Sequence, residues 1–306
     1  MKISLIIPVY NTANYLKDCL DSCLHQKPFI LNKDYEIICV NDGSTDTSRQ
    51  ILAEYESQGV IIIDQENAGV SVARNNGLLH AKGDFIWFID SDDYIEEDIL
   101  SSLFTFITSN QCDCCIIGFT KVEEQTHRTT IFDKSKFQKI EAKQWNGGRN
   151  FAYPWIHIIS RKFLQNHAIT FEPGISHQED TLWMFWVNFF KAKSIYTAKQ
   201  IYAYRFRASS AMHNRSKENR LKYFKSMLAM LQAYQKALTH YGDSLSAVEQ
   251  NHLQYRIYWS VQNILFDAIR INKSTRKNIL KKLISDKLGT VVKRIKLYNE
   301  LIANVI

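Results

Sequence analysis

The chain has 306 residues, of which 45% are hydrophobic and 23% charged, with a formal net charge of +7. That balance excludes a disordered chain, a collagen-like chain and a small disulfide scaffold, and the length suffices for about two domains with a full core. The charge is uneven: residues 273–296 hold nine bases against one acid, Asp286, so the remainder is close to neutral and a uniformly basic nucleic-acid binder is excluded.

In chain order, short runs rich in Ile and Val predict strands at 3–8, 35–40, 60–64 and 85–89. They are apolar on consecutive positions, as parallel strands covered on both faces are. Helical patterns at 12–26, 47–57 and 70–81 lie between them, so the expected class is α/β with right-handed crossovers. A further strand is expected at 112–119, a hairpin or loop excursion over 121–145, a helix at 179–192 and a strand at 195–206. From about 217 the pattern turns helical, with Leu221, Phe224, Met227, Leu228, Leu231 and Tyr234 on a 3–4 spacing. A second helical run covers 248–271, a third follows Asn272, and Gly289 separates the last two short helices. All four prolines lie in the first 173 residues, which also sets the two halves apart. The expected division is a domain at 1–215, itself split at 110, and a helical carboxy-terminal subdomain at 216–306.

The six cysteines, Cys19, Cys23, Cys39, Cys112, Cys114 and Cys115, read as buried free thiols. The amino-terminal apolar stretch is too short for a signal peptide, and the longest apolar segment, 182–190, is broken by Asn188. The expected location is the cytoplasm. In the basic tail, Ile279, Leu280, Leu283, Ile284 and Leu288 interleave with lysines, as on a helix lying against anionic lipid; a solvated basic face reads the same way.

Five constellations can carry chemistry. Asp90-Ser91-Asp92-Asp93 follows an apolar strand, and in an extended chain Asp90 and Asp92 point to one side. Hard oxygen ligands at an open site suit Mg2+ or Mn2+, although the same residues also make a capping turn. Asn41-Asp42-Gly43-Ser44-Thr45-Asp46 follows the second strand, at the carboxyl edge where open α/β sheets bind ligands. A carboxylate there can accept from the N–H of a pyrimidine ring, while Ser44 or Thr45 can cap the next helix. Gly69, Ala73 and Gly77 give the third helix a small-residue packing face. Arg74 beside that face needs a partner, an acid of the 90–93 cluster or a phosphate. Glu179 and Asp180 open a helix, which suits either capping or function. Arg205 and Arg207 share a strand face and can grip an anionic leaving group, though such pairs are also common on surfaces.

Taken in order, Pro8-Val9-Tyr10-Asn11, Asn41-Asp42-Gly43-Ser44-Thr45-Asp46, Asn67-Ala68-Gly69 with Ala73-Arg74-Asn75, and Asp90-Ser91-Asp92-Asp93 resemble the inverting family 2 glycosyltransferases of GT-A fold, of the bacterial surface-polysaccharide type. The match is close over residues 1–110 and fainter through Pro154-Trp155, Glu179-Asp180 and 204–210. The resemblance implies a layered α/β/α fold with a mixed, mostly parallel sheet. It implies transfer of a sugar from a nucleoside-diphosphate donor, a UDP-sugar, to a glycan or lipid-linked glycan acceptor. Pro8 and Tyr10 would border the base and Asp42 would bind the uracil edge. Val9, Asn11, Ser44, Asn67, Arg74, Asp90 and Ser91 complete the nucleotide-binding set. Asp90 and Asp92 would hold a divalent metal, Mn2+ or Mg2+, with Asp93 in support. Asp180 would be the general base with Glu179 beside it, and Arg205, Arg207 and His213 would meet the leaving phosphate. Asn41 stands where Asp is frequent in the family.

A dinucleotide-dependent oxidoreductase needs Gly-x-Gly-x-x-Gly after the first strand, where Pro-Val-Tyr-Asn stands, and no phosphate-binding Gly-x-x-x-x-Gly-Lys occurs. The alternatives are a sugar nucleotidyltransferase, whose glycine-rich basic loop is missing, and a non-catalytic nucleotide- or sugar-binding module.

Overall fold

Strands that are apolar on every position need cover on both faces, and a layered sheet supplies it. A computed structural model of the chain describes residues 1–124, 136–139, 152–175, 177–206, 217–251, 253–257 and 260. The first four strands, β1 (Ile3–Val9), β2 (Tyr35–Asp42), β3 (Ile61–Gln65) and β4 (Phe85–Phe88), run parallel in the order β3-β2-β1-β4. Helices α1 (Ala13–Leu24), α2 (Ser48–Glu56) and α3 (Val70–His80) connect them. β1 and β2 are buried almost throughout, whereas β3 is the edge strand and stays half-exposed. In register, Val9 pairs with Asn41 and Asn41 with Asp64, so the strands end together and their following loops share one edge.

The rest of the sheet is mixed. β5 (Tyr94–Ile95), β6 (Cys114–Glu123), β7 (His157–Ser160) and β8 (Ser194–Phe206) extend the order to β3-β2-β1-β4-β7-β6-β8-β5. β7 runs antiparallel to β4 and to β6, β6 runs parallel to β8, and β5 is antiparallel to β8. Four of seven neighbouring pairs are parallel, as the mixed α/β reading requires. Strand β6 runs on through Lys121 to Glu123, where a hairpin or loop was expected; residues 125–135 and 140–151 lie outside the described residues.

α4 (Leu100–Ser109) is not among the expected helices, although Leu100, Leu103 and Ile107 fall on a helical spacing and are buried; its entrance is tied to a distant residue. The Ile99 and Leu100 amides both donate to Gln26 Oε1, at 2.9 and 3.1 Å, from the end of α1. Gln26 Nε2 in turn donates to the Ser22 and Glu96 carbonyls. β7 and α5 (Arg161–Asn166) are short and equally unannounced; Trp87 Nε1 donates to the Trp155 carbonyl in the 3-10 turn that leads into them. α6 covers Glu179–Phe189.

The small-residue face of α3 works as expected at one end only. A Cβ on Gly77 would meet Ile6 Cγ2 at 2.4 Å, so this glycine lets α3 lie directly on β1 and β2. Gly69 touches nothing at its Cβ position; it is there because its φ of +89° at the helix entrance suits glycine. All six cysteines are free and buried.

The chain divides into two compact units, residues 1–174 with 179–213, and residues 175–178 with 214–306. In the second, α7 (Lys217–Tyr241) buries Met227, Met230, Leu231, Tyr234 and Ala237 on one face, the helical periodicity of the sequence. The basic segment 273–296 lies outside the described residues. Among the described residues no helix is long and apolar enough to cross a membrane.

Candidate active site

The loops after β1 and β2 are laced together by polar side chains. Asn11, at φ 52°, accepts at its Oδ1 from the Thr45 and Asp46 amides, while its own amide donates to Ser44 Oγ. Ser44 Oγ also donates to the Val9 carbonyl at 3.5 Å. Neither Ser44 nor Thr45 caps α2, as one reading held; Asp46 Oδ1 accepts from the Ser48 amide instead. Val9 is fully buried, Pro8 half-buried, and Tyr10 is 49% exposed at the mouth of the strand edge.

Asp42 is 3% exposed and ties the 67–69 loop to β2. Its Oδ1 accepts from Gln65 Nε2 at 2.7 Å and from the Ala68 amide at 2.8 Å; its Oδ2 accepts from the Gly69 amide at 2.9 Å. Asn67 Nδ2 donates to the Asp42 carbonyl, and a Cβ on Gly43 would lie 2.8 Å from the Asn67 amide nitrogen. The two loops therefore pack backbone to backbone.

The four residues after β4 take separate directions. Asp93 points inward, accepting from the Tyr202 hydroxyl at 2.6 Å and the Arg205 amide at 2.7 Å. Its burial, with Asp92 and Asp90 nearby, holds its carboxyl well above the ordinary range. Ser91 is buried and accepts from Thr12 Oγ1 at 2.9 Å. Asp90 and Asp92 remain half-buried at the surface.

Arg74 joins this cluster to a distant part of the chain. Its side chain is 4% exposed; Nη2 donates to Asp90 Oδ1 at 3.1 Å and Nη1 to Asp180 Oδ1 at 2.7 Å, with Glu179 Oε1 3.5 Å away. Asp180 reaches solvent with a quarter of its side chain, yet burial pushes its carboxyl up to about 8. The Arg74 charge opposes that rise, and the Glu179 and Asp90 charges add to it.

Asn75, next to Arg74, holds the backbone of Phe171. Its Nδ2 donates to the Phe171 carbonyl at 2.7 Å and its Oδ1 accepts from the Phe171 amide at 2.8 Å. The buried Phe171 ring stacks on Trp183 of α6 and meets Phe88 edge-on. The Arg74 guanidinium lies 5.1 Å from its centroid. Asn75 belongs to the Ala73-Arg74-Asn75 motif but was given no role there, and Gln65 and Asn76 were given none; the adjacent amides of Asn75 and Asn76 were the available signal.

Arg205 requires a correction. It is buried, donates through Nη2 to Asp18 Oδ2 at 3.1 Å, and lies within 5.0 and 5.4 Å of the Tyr15 and Tyr94 ring centroids. Alternation along a strand gives a residue's face but not its depth, and this face is turned into the protein. Arg207 and His213 lie outside the described residues.

Asp90 and Asp92 supply hard oxygens suited to Mg2+ or Mn2+, whose shell is commonly completed by water and substrate phosphate. Among the described residues no group of three or more His, Cys, Asp or Glu could hold a metal ion.

Residues 4–168, more than half of the chain, match the model of glycosyl transferase family 2. Glycosyltransferase GlyA of Streptococcus pneumoniae is 32% identical over 68% of this chain and 31% of its own. A poly(ribitol-phosphate) beta-glucosyltransferase of Bacillus spizizenii is 33% identical over 64% of this chain and 30% of its own. The chain thus spans about a third of the length of these two relatives. Among solved structures, S. aureus TarS in complex with UDP superposes with a TM-score of 0.62 at 22% identity, covering 85% of this chain and 71% of that one. A mannosyltransferase from Pyrobaculum calidifontis, in complex with GDP-Man and Mn2+, gives 0.55 at 14% identity, covering 94% and 80%. These likenesses establish the fold as GT-A, and the matched residues make this chain a member of glycosyl transferase family 2.

Proposed function

We propose that the chain moves a sugar from a UDP-sugar to an acceptor hydroxyl, with inversion at the anomeric carbon and assistance from a divalent metal. The observation that carries this reading is the Arg74 junction: one guanidinium pairs with an acid after β4 and with the acids that open α6. An inverting displacement needs a leaving-group end and a base end, and on this reading the Asp90 set would serve the first and Asp180 the second. Tyr10 offers a ring face to the base, and Asp42 Oδ2 keeps one acceptor position for a ring N–H. Asp90 and Asp92 would hold the ion, which when bound stabilises charge on the departing diphosphate. Asp180 takes the proton of the acceptor hydroxyl, and a carboxyl raised to about 8 suits a base working near neutral pH. Arg207 and His213 stay the candidates for the leaving phosphate.

On this reading residues 1–215 form the catalytic domain, the first 110 taking the donor and 111–215 the acceptor, and 216–306 the helical subdomain. The acceptor on this reading is a glycan or lipid-linked glycan; the name of one relative, a poly(ribitol-phosphate) beta-glucosyltransferase, favours a bacterial polymer as acceptor. Contact of segment 273–296 with anionic lipid would keep the enzyme beside such an acceptor. Family membership sets aside the sugar nucleotidyltransferase. The Arg74–Asp180 pair speaks against a mere binding module, which has no use for a base.

The test is Asp180→Asn, assayed by UDP release from a panel of UDP-sugars with glycan acceptors. Transfer should fall at least about a hundredfold while calorimetry finds UDP bound as before. Undiminished transfer removes Asp180 as base; failure of wild type to bind UDP removes the donor assignment.

A further inference from the structure

A carboxylate offers about four in-plane acceptor positions, two on each oxygen. On Asp42, Oδ1 has both filled, by Gln65 Nε2 and the Ala68 amide, and Oδ2 has one filled, by the Gly69 amide. Gln65 is itself held: its Oε1 accepts from Asn76 Nδ2 on α3 at 2.9 Å. That bond dictates which end of the amide faces the acid. A reversed Gln65 would set its oxygen against the carboxylate and its nitrogen against the Asn76 amide, two repulsive contacts in place of two hydrogen bonds. Among the described residues one acceptor position is left on Asp42, on Oδ2.

We propose that Gln65, fixed by Asn76, is a specificity-determining residue: by filling one side of Asp42 it admits a nucleoside diphosphate whose base offers a single N–H there, and disfavours guanine. The inference rests on the reading above in which Asp42 meets the base. Uracil presents one ring N–H between two carbonyls, so one acceptor position serves it. Guanine presents a ring N–H and an amino group side by side, a pair matched to both oxygens of a carboxylate. With Oδ1 filled, the second donor is desolvated without a partner. Cytosine and adenine bring a ring nitrogen lone pair to the same point and face the acid lone pair to lone pair.

UDP and GDP carry the same diphosphate, so calorimetric titration of the full chain with each, in Mn2+, isolates the base. Wild type should bind UDP at least about tenfold more tightly than GDP. Gln65→Leu, which keeps the bulk and removes the donor, should bring the two within a few-fold, mainly by strengthening GDP. Asn76→Ala, which frees the Gln65 amide, should close part of the gap. Melting curves of the unliganded variants check folding, and if Gln65→Leu does not fold, Asn76→Ala decides. UDP binding to wild type with the UDP-to-GDP ratio unchanged in the folded variants overturns the proposal, as does a wild-type preference for GDP. Binding of neither nucleotide overturns the underlying reading and this one with it.

Discussion

Arg74 and Asp180 form an ion pair that governs the acidity of the carboxyl proposed above as the base. Burial and neighbouring acids raise the carboxyl, and the guanidinium at 2.7 Å restrains the rise. Because the base must be ionised, transfer should be lost as pH falls through about 8, by roughly tenfold per unit, and should level off above it; a kcat–pH profile reads this directly, and a rate flat from pH 6 to 9 contradicts it. Arg74→Ala removes the restraining charge, so the midpoint should move to higher pH and the rate at pH 7 should drop. The same change leaves three acids without their cation and should cost about 3–5 kcal/mol in chemical denaturation. Arg74→Lys should recover part of both effects. That Arg74 must take an acid or a phosphate as partner was legible because a charge beside an apolar packing face needs one, and Asp90 of the 90–93 cluster is among the partners it takes. Gln65 was not, because an amide looks like any polar surface residue until its two partners are known. Arg205 was misread for the complementary reason: its charge was visible and its burial was not.

Helix α3 concentrates these roles on three adjacent residues. Arg74, Asn75 and Asn76 reach the acid cluster, the Phe171 backbone and Gln65, while Gly77 lets the helix sit against Ile6. Asn75→Ala should loosen α6 at the end that carries Asp180. A loss of about 1–3 kcal/mol is expected in urea denaturation, together with a fall in kcat and little change in UDP affinity. Equal losses in both would mean a general structural role. Gly77→Val forces a side chain onto β1 and should destabilise by at least about 1–3 kcal/mol. Gln26 is the corresponding joint for α4. It is buried with four hydrogen bonds, two of them to the helix entrance, so Gln26→Ala should cost about 2 kcal/mol or more. The four parallel strands and their helices were readable because hydrophobic periodicity is local. α4 carries the same local period in Leu100, Leu103 and Ile107 but was not among the expected helices; what no local pattern carries is its tie to Gln26, 73 positions earlier. β7 has four residues, too few for a period to declare itself.

For the molecule as a whole, the shared carboxyl edge of β1, β2 and β3 gathers the loops that carry chemistry. If Asp90 and Asp92 hold the ion, EDTA should abolish transfer and Mn2+ or Mg2+ should restore it, with Asp92→Asn raising the metal concentration needed; transfer that persists after the metal is stripped rules this out. The α/β class, the parallel first half and the acids placed just beyond strand ends all follow from runs of neighbouring residues, because the pleat repeats every two residues and the helix every 3.6. The mixed order of the later strands does not follow from such runs, nor does the inward turn of Asp93 or the meeting of Arg74 with an acid 106 residues away. Those depend on which surfaces come together once the sheet is assembled, and burial by distant segments sets both the depth of a charge and the partner it must take.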